Sequence, residues 1–292
     1  MKLSLVDAGE RSQPLESLSG PPAGIAAVGH RVVHGGGVFG DAVLADAGVV
    51  ARIRELAALA PLHAEPALRG IRTAQAALPD VPHVAVSDSA FHRTLPDEAS
   101  TYAIPRRWRE EWGIRRYGFH GLAVASVADR IRVPRLVVCH LGGGCSVTAV
   151  LEGRSVDTTM GFSPLEGVPM ATRSGSLDPG ALLYLLRERG LTPDELDDTL
   201  EHESGLAALG GLDDPLGFAV YTYRVAQAVA AMAAALGGLD ALAFSGGVGE
   251  NRADVRQAVA ERLRFLGDFA VEAVAAREDV IVARQVRALL AQ

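Results

Sequence analysis

At 292 residues, with 49% hydrophobic and 22% charged positions, the chain has the make-up of a folded globular protein of about two domains. Its net charge of −7 gives no basic face for a nucleic-acid backbone, and its most apolar stretch, 218–236, carries Arg224 and Gln227 and suits a buried helix better than a membrane span. Cys139 and Cys145 lack metal or redox spacing and no basic, apolar leader opens the chain, so a cytoplasmic protein with reduced thiols is expected.

In chain order, 2–7 reads as a short strand, and 25–33 as a second strand running into the turn Gly35, Gly36, Gly37. Positions 49–59 place Val49, Val50, Ile53 and Leu56 at helical spacing, and Pro61 is expected to stop that helix. The β-branched run 84–86 is a strand that delivers Asp88 at its end. A stronger strand, 136–141, leads directly into Gly142, Gly143 and Gly144. Helices are expected over 179–186 and 218–236, the second stopped by Gly237 and Gly238. A strand over 241–244 ends in Gly246, Gly247, Val248 and Gly249, and a helix follows over 253–265. The last helix sets Val280, Ala283, Val286 and Leu290 on one side. Strands that alternate with helices, with glycines at strand ends, indicate an α/β architecture.

The segment 157–178, DTTMGFSPLEGVPMATRSGSLD, sustains neither a helical nor a strand period and reads as a functional loop. Within it Arg173 is flanked by turn residues that could aim a guanidinium, a fixed fork of donors, at anionic oxygens. A solvated loop arginine is the competing reading. The glycine runs after 136–141 and 241–244 would let backbone N–H groups approach a phosphate closely. Neither fits the P-loop or the dinucleotide fingerprint, so together they support nucleotide binding without naming a class.

Other polar candidates lie at strand ends or in turns: His30, Arg31 and His34 in GHRVVHGGG, His63 in LAPLHAEP, Asp88 and His92 in SDSAFH, and His120 in RRYGFHG. His83 and His202 are read as satisfied core residues. Arg31 and Arg173 together could neutralise a transferring phosphoryl group, with His120 adding a donor and Asp88 orienting the acceptor.

These residues form a recognisable set. GHRVVHGG, APLH, SDSAFHRTLP, RRYGFHG, HLGGGCS, DTTMGFSPLEGVPMATRSGSLDPG, SGGVGEN and REDVIVAR stand in the order found in acetate kinases, and across most of its length the chain resembles the acetate/propionate kinase family. The resemblance implies the two-domain α/β fold of the acetate and sugar kinase/Hsp70/actin group (ribonuclease H-like), here with an incomplete first domain. Residues 1–91 with the C-terminal helix 278–292 would form the substrate-side domain, and 92–277 the nucleotide-binding domain. It further implies reversible, Mg²⁺-dependent (or Mn²⁺-dependent) transfer between ATP and a short carboxylate to give an acyl phosphate and ADP, in a cytoplasmic homodimer.

Position by position, Arg31 matches the family's substrate-binding arginine, with His63 on the substrate side. Asp88 matches its active-site aspartate, and His120 with Arg173 the pair assigned to transition-state stabilisation. His140, Leu141, Gly142, Gly143 and Gly144 match a phosphate-contacting loop, and Gly247, Val248, Gly249, Glu250 and Asn251 the loop that holds adenosine. Glu278 matches the glutamate that helps place the metal. Val33, Leu62, Phe119 and Pro164 match the apolar pocket for the acyl methyl.

The chain also departs from the family pattern. MKLSLVD resembles the residues just after the family's N-x-G-S-S-S-x-K loop, so an upstream start is expected. The regions 7–29, 211–217 and 267–278 look short, and the last is expected to have lost a strand. Gly143 stands where Asn is usual, and Ala64 follows His63 where Asn is common. The alternative readings are a catalytically impaired nucleotide- or acyl-phosphate-binding remnant, and a butyrate-type kinase.

Overall fold

The computed structural model describes residues 3–18, 20, 22–35, 42–55 and 61–292, with the side chains of 61–64 outside that description. Lys2, the turn glycines Gly36 and Gly37, and the 56–59 end of the first expected helix therefore lie outside the described residues. The chain forms two compact units: Met1–Arg93 with Phe119–Ser126 and Arg277–Gln292, and Thr94–Gly118 with Val127–Ala276.

Among the described residues the first unit has five strands: β1 (Ser4–Val6), β2 (Ser12–Pro14), β3 (Val28–Val32), β4 (Ala42–Leu44) and β5 (His83–Ser87). The first two make an antiparallel hairpin of their own. β5 is the middle of a three-stranded sheet, parallel to β3 and antiparallel to β4. Every residue of β5 is buried, as a central strand covered on both faces requires. Its side chains alternate between two cores. Ala85 packs with Val32, Ile53, Leu68 and Ile71, under the helices Ala47–Glu55 and Pro61–Ala77. Val84 and Val86 pack with Leu122, Ile281 and Val286, under the start of the helix Gly121–Arg130 and the helix Glu278–Leu290.

Pro61 opens the helix Pro61–Ala77, because a proline at the first helical position loses no hydrogen bond and has its φ already set; the end of the preceding helix lies outside the described residues. On the last helix Ile281 is buried with Val280 and Val286, whereas Leu290 is exposed at the final turn. That helix lies so close to β3 that a Cβ on Gly29 would sit 2.4 Å from Val282 Cγ1.

The second unit has one sheet. β6 (Arg135–Leu141), β7 (Cys145–Leu151) and β8 (Arg154–Thr158) form an antiparallel meander, β9 (Ala241–Ser245) lies parallel to β6, and β10 (Ala270–Ala273) lies parallel to β9. The order β10-β9-β6-β7-β8 is a ribonuclease H-like arrangement. The long helix Pro215–Leu236 covers β6 and β7. Asp214 caps its start, accepting from the Leu216 and Gly217 amides, and Gly237 ends it in the left-handed region at φ 67°.

The strand expected to be missing between 267 and 278 is therefore present as β10. All four of its side chains are exposed, so it has no apolar alternation to announce it.

Candidate functional site

In the first unit, parallel register sets Arg31 opposite Val86 and brings the ends of β3 and β5 side by side. Asp88, one residue beyond β5, is completely buried. Its Oδ2 accepts from Arg31 Nη2 at 2.6 Å, and its Oδ1 accepts from the backbone N–H of Leu122 at 3.2 Å. That amide lies in the first turn of the helix Gly121–Arg130, whose dipole favours a carboxylate. A Cβ on Gly121 would fall 2.1 Å from the Asp88 carbonyl oxygen, so this approach requires glycine. Glu278, at the start of the last helix, places Oε2 3.0 Å from Arg31 Nη1. Burial alone would lower the pKa of Arg31, but the Asp88 and Glu278 carboxylates outweigh it and raise the guanidinium above its ordinary value. Both ends of the fork are thus pinned while the side chain remains 40% exposed.

The segment Phe119, His120, Gly121 borders this group. His120 adopts φ 59°, a left-handed conformation uncommon outside glycine and most often kept where function needs it. Beside it, His92 Nε2 lies 2.9 Å from the Phe119 carbonyl. Burial lowers the pKa of His92 to about 4, against the pull of that carbonyl and of Asp88. The ring is therefore neutral near pH 7 and donates Nε2–H to the carbonyl. His34 meets the buried Phe119 ring edge-on, with centroids 5.4 Å apart, and burial lowers its pKa also to about 4. Val33 is half-buried. Leu62 and His63 lie in the helix Pro61–Ala77, with side chains outside the description.

The polar reading of His30 resolves into a stacked pair with His83: His30 Nε2 lies 2.9 Å from His83 Nδ1, while His83 Nε2 reaches the Leu78 carbonyl. His202, read as a core residue, is exposed instead.

In the second unit the two glycine segments are neighbours. His140 pairs in register with Ser146 and Ser245, and its Nδ1 lies 3.0 Å from Ser245 Oγ. A Cβ on Gly142 would be 3.6 Å from the Gly247 nitrogen. Gly246 turns the chain at φ 77°, pressed against the Leu141 carbonyl. The segment Gly246–Asn251 is a short helix here, not a loop. Glu250 closes its first turn by accepting from the Gly246 amide at 3.0 Å, and Asn251 Nδ2 donates to the Gly247 carbonyl at 2.8 Å.

Gly143 and Gly247 share one feature. Neither has a positive φ, and a Cβ on either would meet nothing within 4 Å. The fold itself does not require glycine there, so the open space above both backbones suits a ligand that comes close to the chain.

The Arg173 loop adjoins the first of these segments, for Ala171 N donates to the Gly143 carbonyl at 3.3 Å. Arg173 Nε lies 2.7 Å from Glu201 Oε2, an ion-pair partner that no spacing in the sequence signals. Pro164 is buried in this unit. Cys139 and Cys145 are buried free thiols, both pushed up in pKa by burial. Among the described residues no cluster of three metal-ligating side chains occurs, and no helix is long and apolar enough to cross a membrane.

Residues 16–285 match the model of the acetokinase family. The chain is 46% identical over 260 residues to an acetate kinase of Protochlamydia amoebophila, covering 82% of this chain and 66% of the relative. It is 48% identical over 268 residues to an acetate kinase of Deinococcus deserti, covering 83% and 67%. It thus spans about two thirds of the length of these curated relatives. Among solved structures, a propionate kinase from Francisella tularensis superposes with a TM-score of 0.85 at 34% identity, covering 89% of this chain and 78% of the other. Porphyromonas gingivalis acetate kinase gives 0.85 at 29% identity, covering 99% and 90%.

Proposed function

The chain belongs to the acetokinase family, and we propose that it catalyses reversible phosphoryl transfer between ATP and acetate or propionate, giving acyl phosphate and ADP. The observation that carries this reading is Arg31, a partly exposed guanidinium held by Asp88 at 2.6 Å and Glu278 at 3.0 Å. A fork fixed in this way suits a planar carboxylate and its phosphorylated product. Val33, two residues after Arg31, and the buried Phe119 ring, which meets His34, supply apolar surface for a short acyl group.

Gly143 and Gly247 receive the nucleotide phosphates and sugar on bare backbone. In the forward direction a carboxylate oxygen attacks the γ-phosphorus, the new O–P bond forms as the bond to the β-γ bridging oxygen breaks, and the departing pair stays on ADP. Arg173 and His120 neutralise charge as it spreads over the equatorial oxygens, where such groups contribute most.

Arg31 with its two carboxylates carries a net charge of −1, which disfavours two anionic substrates unless a cation joins them. Glu278, with phosphate oxygens and water, suits Mg²⁺ or Mn²⁺, since such ions commonly take only one or two protein carboxylates. When bound, the ion supplies charge neutralisation between the phosphates. Homodimeric assembly and a cytoplasmic setting are parts of this reading that rest on the family resemblance alone.

The test is ADP release with Mg-ATP and acetate, propionate or butyrate. The reading expects the highest kcat/KM with the two- or three-carbon acid. A clear preference for butyrate would replace it with the butyrate-kinase reading. Nucleotide binding without turnover on any acid would replace it with a binding remnant.

A further inference from the structure

Glu278 reaches Arg31 from the first residue of the helix Glu278–Leu290, so that contact is only as exact as the placement of the helix. Gly29 fixes the helix on its inner face, through the close approach of Val282. A second face is held by the hairpin of β1 and β2. Arg284 grips the Glu10 carboxylate with two parallel bonds, Nε to Oε1 at 2.5 Å and Nη2 to Oε2 at 2.7 Å. Arg277 Nη2 donates to the Glu10 carbonyl at 3.1 Å, and Arg287 Nη2 to the Asp7 carbonyl at 2.8 Å. The three arginines stand at i, i+7 and i+10, on one side of a helix. Arg277 N also donates to Ser126 Oγ at 2.9 Å, on the same helix whose Leu122 amide holds Asp88. The residue just before Glu278 is thus tied to two other elements.

Glu10 takes part in this clasp with both its backbone and its side chain. It adopts φ 62°, a left-handed conformation that a residue other than glycine keeps only where its surroundings fix it. The turn is closed from within: Glu10 N donates to the Asp7 carbonyl at 2.9 Å, and the Asp7 carboxylate accepts from Arg11 N at 2.9 Å and Arg11 Nε at 2.8 Å. The Arg284 and Glu10 side chains are 42% and 35% exposed, so their charge attraction adds little to stability. A bidentate pair with a second arginine on the same residue instead fixes direction.

We propose that Glu10 is a positioning residue, which clasps the last helix through Arg284 and Arg277 and so sets Glu278 against Arg31. The proposal rests on the substrate-binding role given to Arg31 above. It makes the β1–β2 hairpin part of the machinery, although the hairpin need not touch a substrate.

Glu10→Gly separates the carboxylate from the backbone, because glycine keeps the left-handed turn and the carbonyl that Arg277 uses. If Glu10 positions Glu278, Glu10→Gly raises KM for acetate about three- to tenfold, less than the loss for an ångström-sized misplacement. In a Glu278→Gln background it adds no further rise. A hairpin that only stabilises the fold predicts a lower melting temperature with KM of the folded protein unchanged, and that result overturns the proposal.

A readout independent of turnover is phenylglyoxal labelling of Arg31, followed by peptide mass spectrometry. The guanidinium is partly exposed and Glu278 holds its Nη1. Labelling should speed up at least severalfold in folded Glu10→Gly, and an unchanged rate overturns the proposal. Unchanged KM for acetate in Arg31→Ala would instead sink the substrate-binding reading of Arg31, while labelling would still decide whether Glu10 sets the Glu278 contact.

Discussion

Arg31 and Arg173 are given different tasks, and kinetics separates them. Arg31 is anchored before substrate arrives, so Arg31→Ala should raise KM for acetate at least tenfold in addition to lowering kcat. Arg173 is needed most when charge spreads over the transferring group. Arg173→Ala should therefore lower kcat about 100- to 1000-fold, the scale for removing one such donor, with KM within a few-fold. Steady-state kinetics of the two variants checks both, and a pure KM effect at Arg173 would contradict its assignment.

The histidines give a pH prediction. Burial lowers His92 and His34 to about 4, from an ordinary value near 6.5. The unfolded chain thus binds more protons than the folded chain between those two values, so stability is complete above about pH 6.5 and falls as pH drops toward 4. A tenfold change in proton affinity corresponds to about 1.4 kcal/mol, so a buried ring such as His92 accounts for at most about 3 kcal/mol. Thermal unfolding of His92→Gln should show a shallower loss over pH 6.5 to 4 than the parent, and an identical slope would contradict the buried-neutral assignment.

At the scale of elements, close packing can be tested apart from chemistry. Gly29→Ala would drive a methyl into Val282 on the last helix. It should cost about 1–3 kcal/mol by overpacking, and because Glu278 rides on that helix it should also weaken acetate binding. Gly143→Val has the opposite profile: with nothing within 4 Å of its Cβ, it should leave the melting temperature nearly unchanged while it abolishes nucleotide binding. Calorimetry and MgADP titration distinguish the two, and a normal MgADP affinity in Gly143→Val would remove this turn from the nucleotide site.

Much of this level is legible in the sequence. β5, β6 and β9 are continuous apolar runs, and the helix Pro215–Leu236 carries both a cap and a glycine stop. β10 is not legible, because all its side chains face water and only its backbone pairing with β9 makes it a strand. Pro61 reads as a helix stop, and its second role as the start of the helix Pro61–Ala77 is not legible, because proline marks both ends of helices. In the candidate site, Arg31, Asp88 and Glu278 can be named from their motifs. Glu201 cannot, because it reaches Arg173 through a ladder between two irregular segments that share no period.

For the whole molecule, the proposed reaction needs a carboxylate-holding group in one unit, and glycine-lined backbone with a positioned arginine in the other. Each group stands on its own unit's geometry, and the family supplies the reaction that needs both. The chain spans about two thirds of the length of its curated relatives, so turnover by these 292 residues is the claim most exposed to test. The most direct measurement is acetate-dependent acyl phosphate formation by the purified chain with Mg-ATP, trapped as hydroxamate. Signal well above a no-acetate control is expected, abolished in Arg31→Ala. A folded chain that binds MgADP yet forms no hydroxamate would contradict the proposed reaction.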